Sequence, residues 1–280
     1  MFQKAKKSRG KLRLALVGPS GSGKTYTALT IGKALGQPIA VIDTERGSAS
    51  KYAGDVAEFD VCELETFSPK TYVEAIEVAA AGGYPVLIID SLSHAWAGVE
   101  GALDQVDRRA SSAAGKFGAW REVTPLHNAL VDAILSYPGH VIATMRAKTE
   151  YVIEEVNGKK TVRKIGLAPI QRDGVEYEFD VVGDLDHAHV LTVTKTRCSA
   201  LADRAIRHPG EDVAAELLAW LSDGAPAVPD QIVELVRRGD LVAAKEMATQ
   251  HWKSLHRADR ARVTAAIKAA EGQMAETREV

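Results

Sequence analysis

The sequence predicts an α/β fold: a mostly parallel sheet, a β-hairpin extension and a small helical region near the C-terminal end. Three observations lead there. Apolar runs that read as buried strands alternate with helical patterns over the first two-thirds of the chain. Asn157-Gly158-Lys159-Lys160 then stands between two β-prone runs, and Asn-Gly in that setting is the strongest short hairpin signal. Beyond SDGAPAVPD (222–230) the pattern is helical only. The expected organisation is a basic flexible tail at 1–10, a core at 11–222, a linker at 223–230 and a helical region at 231–280.

The elements follow in order. LRLALV (Leu12 to Val17) reads as a buried strand and YTALTIGKAL (Tyr26 to Leu35) as a helix. PIAVID (Pro38 to Asp43) is a second strand. TYVEAIEVAAA (Thr71 to Ala81) is a helix closed by Gly82-Gly83. YPVLIID (Tyr84 to Asp90) is a third strand. Residues 101–118 are small, polar and poorly periodic, which suits a loop or frayed helix. Thr124 to Ser136 reads as a helix and GHVIATM (Gly139 to Met145) as a fourth strand. The hairpin follows, as Glu150 to Val156 and Thr161 to Ile165. Val175 to Gly183 and His189 to Thr194 read as two more strands, and Val213 to Leu221 as a helix. Two or three helices fill 231–272, broken at Arg238-Gly-Asp.

Between the first strand and first helix lies Gly18-Pro19-Ser20-Gly21-Ser22-Gly23-Lys24-Thr25. It matches G-x-x-x-x-G-K-[ST] at every fixed position, in the strand–turn–helix setting that motif requires. Glycines let the backbone wrap around phosphate oxygens, and the N–H groups and helix start supply positive potential. These eight residues and the adjoining Tyr26 form the expected nucleotide-binding set, with ATP and Mg²⁺ as ligands. Lys24 is expected to reach the β- and γ-phosphates and Thr25 to hold Mg²⁺. Asp90, ending an apolar strand, is the second expected Mg²⁺ residue. Many ATPases carry their catalytic glutamate directly after that aspartate, where this chain has Ser91. The base is therefore expected elsewhere, at Glu45, just past the second strand, because strand ends converge on the ligand in such sheets. Pairing of Glu45 with Arg46 is the competing possibility.

Composition narrows the classes. With 280 residues and 46% hydrophobic content, a large packed core is affordable. The formal net charge of −2 advertises no global nucleic-acid surface, so any such surface is local. Cys62 and Cys198 form neither a disulfide framework nor a metal-ligand spacing. His187 and His189 alternate without a cysteine to join them. The basic start lacks a signal-peptide apolar region and no run is long enough to span a bilayer. The expectation is a cytoplasmic protein with no membrane partner. Trp96, Trp120, Trp220 and Trp252 read as core, and Arg257, Arg260 and Arg262 as a solvated face.

Several segments carry a resemblance. IDTE45 and VLIIDS91 resemble the base-bearing and second acidic strands of RecA-type recombinases. VIATMR146 resembles their γ-phosphate sensor strand, with Thr144 where that family has glutamine. VTKTR197 resembles the Lys-x-Arg segment through which subunits reach a neighbour's ATP, which implies that Lys195 and Arg197 act in trans like an arginine finger. A closer likeness joins VIDTERGSASKYA, W-x-x-V-T-P-x-H (Trp120 to His127), TMRAKTEYV and LAPIQRDGVEYEFDVV. Over about residues 11–200 the chain resembles phage-encoded AAA-type ATPases of the RecA-related branch, grouped with the Sak single-strand annealing proteins. The resemblance implies a RecA-like P-loop core. It further implies DNA-stimulated ATP hydrolysis, single-stranded DNA binding, a role in annealing or strand pairing, self-assembly into a ring or filament, and the host cytoplasm. A single-strand-binding protein or replisome component is a further candidate partner.

The expected DNA surface comprises Arg146, Lys148, Lys159, Lys160, Arg163, Lys164 and Arg172, with Tyr151 and Tyr177 nearby to stack bases. Gly166 to Gly174 corresponds in order to the second DNA-binding loop of RecA relatives. A solvated Lys-rich hairpin is the plain alternative. The competing function is a helicase-loader or regulatory nucleotide switch acting on protein partners. A small-molecule P-loop kinase is disfavoured, since neither an Arg-rich lid nor an acceptor site can be located.

Overall fold

The computed structural model describes residues 4, 7, 9–110, 115–156, 159–255 and 257–278, with the backbone alone over 149–156, 159–167, 257–258 and 273–278. The chain divides into two compact units, Leu12–Leu218 and Met1–Lys11 with Ala219–Val280.

The larger unit is built on one sheet. Its strands are β1 (Arg13–Gly18), β2 (Ile39–Asp43), β3 (Asp60–Glu63), β4 (Val86–Asp90), β5 (His140–Val156), β6 (Lys159–Pro169), β7 (Val181–Leu185), β8 (Val190–Thr196) and β9 (Ala205–Arg207). They lie in the order β3-β2-β4-β5-β1-β7-β8-β9, with β6 paired to β5 outside that path. The six strands from β3 to β7 are parallel, while β8, β9 and β6 join antiparallel. The mixed α/β architecture with a mostly parallel sheet stands as the sequence predicts. Strands β1, β2 and β4 are buried along their whole length, as apolar runs without alternation require.

Helices cover both faces. Those before β7 are α1 (Lys24–Leu35), α2 (Pro69–Ala81), α3 (Ser93–Ala97), α4 (Ala102–Arg109) and α5 (Gly115–Ser136). On α2 and α5, Tyr72, Ile76, Leu130 and Ile134 pack with Ala15, Val17, Ile42, Leu87, Ile89, Val141 and Met145 into the main core. Helix α1 takes the other face, where Gly32 sits so close to Ile88 that a Cβ would meet its Cδ1 at 3.1 Å. Ser68 caps α2 by accepting from the Thr71 N–H, with Pro69 in the first turn. Helix α5 starts nine residues earlier than the sequence predicts and runs through Pro125. Its buried stripe of Ala119, Val123, His127, Leu130 and Ile134 outweighs the one lost backbone bond.

Two strand readings change. Val175–Glu178 is a 3₁₀ turn, so β7 begins only at Val181. The fourth strand and the first hairpin strand are one 17-residue strand, β5. The turn residues Asn157 and Gly158 lie outside the described residues, but the pairing of β5 with β6 is antiparallel from Ala147↔Pro169 to Val156↔Lys159.

Helix α6 (Glu211–Ser222) ends the larger unit and leads into the smaller one. There α7 (Val228–Arg237), α8 (Leu241–His251) and α9 (Arg257–Arg278) share a core of Ile232, Ala244, Ala248, Leu255 and Val263. Arg238-Gly-Asp is the break between α7 and α8, with Gly239 at φ +82° and Asp240 capping α8. Arg260 and Arg262 are more than a solvated face. Arg260 lies 5.6 Å over the Trp252 ring, and Arg262 pairs with Asp230 at 2.7 Å. Within the segment read as a tail, Arg9 and Gly10 donate to the Ala225 and Leu221 carbonyls, and Lys7 pairs with Asp223.

Candidate nucleotide site

The phosphate-binding motif closes the C-terminal end of β1. Gly18 ends that strand, and Gly21 and Gly23 adopt φ +78° and +90°, conformations that strain residues with a Cβ. Gly23 is also the N-cap of α1 and provides no side-chain cap, and the first turn holds no acid. The orphan N–H groups at that helix start are left for an anion. Lys24 donates to the Pro19 carbonyl at 2.8 Å, so its ammonium lies back over the loop. Burial pulls its pKa down, opposed by the carboxylates of Asp90 and Glu45.

Asp90 ends β4 and is buried. One of its carboxylate oxygens accepts from the Thr25 hydroxyl at 2.6 Å, the other from the Thr144 hydroxyl at 2.5 Å. Burial raises the Asp90 pKa and the two hydroxyl donors oppose the rise. Thr25 and Asp90 thus bring hard oxygen donors together, which is what Mg²⁺ takes. The buried Ser22 and Ser91 hydroxyls have no partner among the described residues, a further sign that a polar ligand completes this region. The set fits a magnesium nucleotide: Gly18 to Thr25 would hold the phosphates, and Thr25 and Asp90 the ion.

The neighbouring strand ends are tied together by Thr44, which sequence reasoning passed over. Its N–H donates to the Asp90 carbonyl at 2.8 Å, and its hydroxyl accepts from the Ser91 N–H and lies 2.6 Å from His94 Nδ1. Tyr72 donates to the Ser91 carbonyl, and the ring of His94 stacks on Phe67. Asp43 accepts from the N–H groups of Glu45 and Ala49, fixing the turn after β2. The only sequence signal for Thr44 is its place between Asp43 and Glu45.

Glu45 sits on that turn and does not pair with Arg46. Its carboxylate accepts from Arg146 Nε at 3.0 Å and lies 2.9 Å from Arg146 Nη2. Arg146 is in register with Gly18 across the β1–β5 pair. An arginine grouped by sequence with the DNA-contacting cations is therefore beside the phosphate loop. Thr144, aligned with a γ-phosphate sensor, is fully buried and committed to Asp90.

Lys195 and Arg197 are at the opposite end of the sheet. Lys195 and Thr196 pair with Val182 and Val181, and Val181 with Leu14, near the start of β1. Lys195 donates to the carbonyls of Glu176, Tyr177 and Phe179, and Arg197 pairs with Asp180 at 2.7 Å. Of the other expected DNA residues, Lys148 is exposed and Arg172 donates to Asn128. The side chains of Tyr151, Lys159, Lys160, Arg163 and Lys164 lie outside the described residues. Within LAPIQRDG, Gln171 is buried. It is 3.0 Å from His127 Nε2 and donates to the Leu92 carbonyl, two residues past Asp90. His127 also meets the edge of Trp96, which packs on Trp120. This accounts for Trp120 and His127 as packing, which spacing alone could not show.

Among the described residues no helix is long and apolar enough to cross a membrane, and no group of three or more His, Cys, Asp and Glu side chains is placed to hold a metal. A family model described as an AAA domain matches residues 10–205, and the phosphate loop, Asp90 and the strands that position them all fall inside that match. The chain belongs to this AAA family of P-loop ATPases.

Proposed function

We propose that this protein is a DNA-recombination ATPase that binds single-stranded DNA and promotes annealing or strand pairing as an oligomer. One observation carries the reading. Strand β5 runs unbroken from the nucleotide site, where Thr144 bonds Asp90 and Arg146 holds Glu45, into the hairpin that bears the Lys- and Arg-rich segment. The hairpin and the phosphate site thus share one continuous backbone, along which a change at the phosphates would reach the hairpin. The likeness of residues 11–200 to the Sak-grouped, RecA-related phage ATPases supports the same reading.

In this mechanism Lys24 and the loop N–H groups hold the β- and γ-phosphates. Thr25 and Asp90 would hold Mg²⁺, which would supply positive charge against the phosphate oxygens. Glu45 takes a proton from the water that attacks the γ-phosphorus in line. That role requires Arg146 to share or release the carboxylate, and an incoming anionic phosphate competes for the same guanidinium. The test is ATP turnover by the full chain with and without single-stranded DNA. Turnover that rises severalfold on single strands supports the reading. DNA-independent turnover that rises with a helicase or other protein partner points instead to a loader or nucleotide switch.

A further inference from the structure

The turn between β7 and β8 leans on the phosphate loop at two points. The Leu185 carbonyl oxygen is so close to Gly18 that a Cβ there would lie 2.5 Å from it. His189 Nδ1 is 3.0 Å from the Ser22 carbonyl oxygen and would lie 3.1 Å from a Cβ on Gly23. A carbonyl oxygen only accepts, so Nδ1 carries the hydrogen and donates it. A side chain at 18 would therefore clash with the backbone at the start of this turn, and one at 23 would press on the His189 ring.

The backbone works to hold His189 in place. Its φ is +57°, a conformation that residues with a Cβ adopt only where their surroundings impose it. Asp186 Oδ1 accepts from the Ala188 and Val190 N–H groups, and the Asp186 carbonyl accepts from the His189 N–H at 3.1 Å. His208, itself at φ +51°, donates its N–H to the His189 carbonyl at 2.8 Å, and the two rings lie 5.5 Å apart.

We propose that His189 is a positioning residue of the nucleotide site. The Ser22–Gly23 peptide is planar and trans, so its C=O and N–H point to opposite sides. Holding the Ser22 carbonyl against His189 fixes the plane of that peptide and turns the Gly23 N–H away from His189. A donor set in advance loses no freedom when phosphate arrives. The inference rests on the nucleotide-site reading of the loop and on nothing about DNA or hydrolysis.

Two variants of the full chain test it. H189G removes the donor and relaxes the left-handed backbone, which offsets part of what the lost contacts cost folding. H189N keeps a short N–H donor and tolerates the same backbone. The measurements are affinity for a fluorescent ADP with Mg²⁺ and the melting temperature without nucleotide. H189G is expected to bind about tenfold more weakly, because the Gly23 N–H is no longer set in advance, with H189N within about threefold of wild type. The ligand-free melting temperature of H189G is expected to stay within a few degrees of wild type, the relaxed backbone offsetting the lost hydrogen bond. Wild-type affinity in H189G, or equal losses in both variants, overturns the proposal. A wild-type chain that binds no ADP overturns the nucleotide-site reading itself, and is told apart because the loss is present before any substitution.

Discussion

Asp184 stands on β7 opposite Val17, half-buried, and burial pushes its pKa up to about 6. The ordinary value, which the unfolded chain keeps, is about 3.9. Between those values the folded state binds more protons than the unfolded state, so stability falls as pH rises from about 4 to about 6. At neutral pH the carboxylate is ionised in surroundings that disfavour it. D184N is therefore expected to melt higher than wild type at pH 7 and to converge with it near pH 4. Other carboxylates contribute equally to both proteins, so the difference between their melting curves isolates this residue. A difference that stays constant from pH 4 to 7 would refute it. Nothing in the sequence marks Asp184, whose burial depends on which strand lies beside β1. Asp90, by contrast, was legible because an apolar strand ending in aspartate downstream of a phosphate loop is a pattern in one dimension. Its two hydroxyl partners, Thr25 and Thr144, lie 65 and 54 residues away, and only the sheet brings them together.

Among elements, β5 shows best where reading along the chain stops. Its buried half, His140 to Met145, is apolar enough to declare itself. The polar stretch at Arg146 to Thr149 then ends the apolar run, so the hairpin looks like a separate pair of strands. In the folded chain backbone pairing with β6 carries the strand through that stretch, and backbone hydrogen bonds leave no side-chain signature. The same break hides that Arg146, grouped with Lys148 by proximity, is set by its register beside Gly18. If the hairpin is the DNA surface, the affinity comes from phosphate contacts made by Lys159, Lys160, Arg163 and Lys164. Each contact to a single strand contributes about 0.7 to the log–log salt dependence of binding. Replacing all four with alanine is expected to weaken single-strand binding most at low salt and to flatten the slope by up to about 3. Isotherms at several salt concentrations measure this, with ATP turnover in the absence of DNA as the check on folding. An unchanged slope with normal basal turnover would make the hairpin structural.

At the scale of the molecule, the order of parallel strands puts the ends of β1, β2 and β4 beside the middle of β5, and Lys24, Glu45, Asp90 and Arg146 meet there. Lys195 and Arg197 belong to the opposite end of the sheet, held by carbonyls and by Asp180. They cannot complete the nucleotide site of their own chain. If they are fingers, they serve a neighbouring subunit and must first leave their present partners. An ion pair near the surface such as Arg197–Asp180 is worth about 1 kcal/mol, so releasing Arg197 is inexpensive, while Lys195 gives up three carbonyl bonds. A finger supplied in trans raises turnover by a factor on the order of a thousand or more. R197A alone is then expected to bind ATP and hydrolyse it slowly. E45Q is expected to bind ATP without hydrolysing it, because an amide keeps the shape of the carboxylate and takes no proton. Neither variant has a complete site when alone. In a mixed assembly, an R197A subunit supplies an intact Glu45 and its E45Q neighbour supplies an intact Arg197, so a fraction of the composite sites is whole. Turnover of the mixture is expected to exceed the sum of the separate variants and to peak near equal proportions. Mixtures shown by pull-down to co-assemble, yet additive in turnover at every ratio, would refute the shared site and leave Arg197 as the partner of Asp180, whose other carboxylate oxygen accepts from the Arg13 N–H at the start of β1 at 3.0 Å.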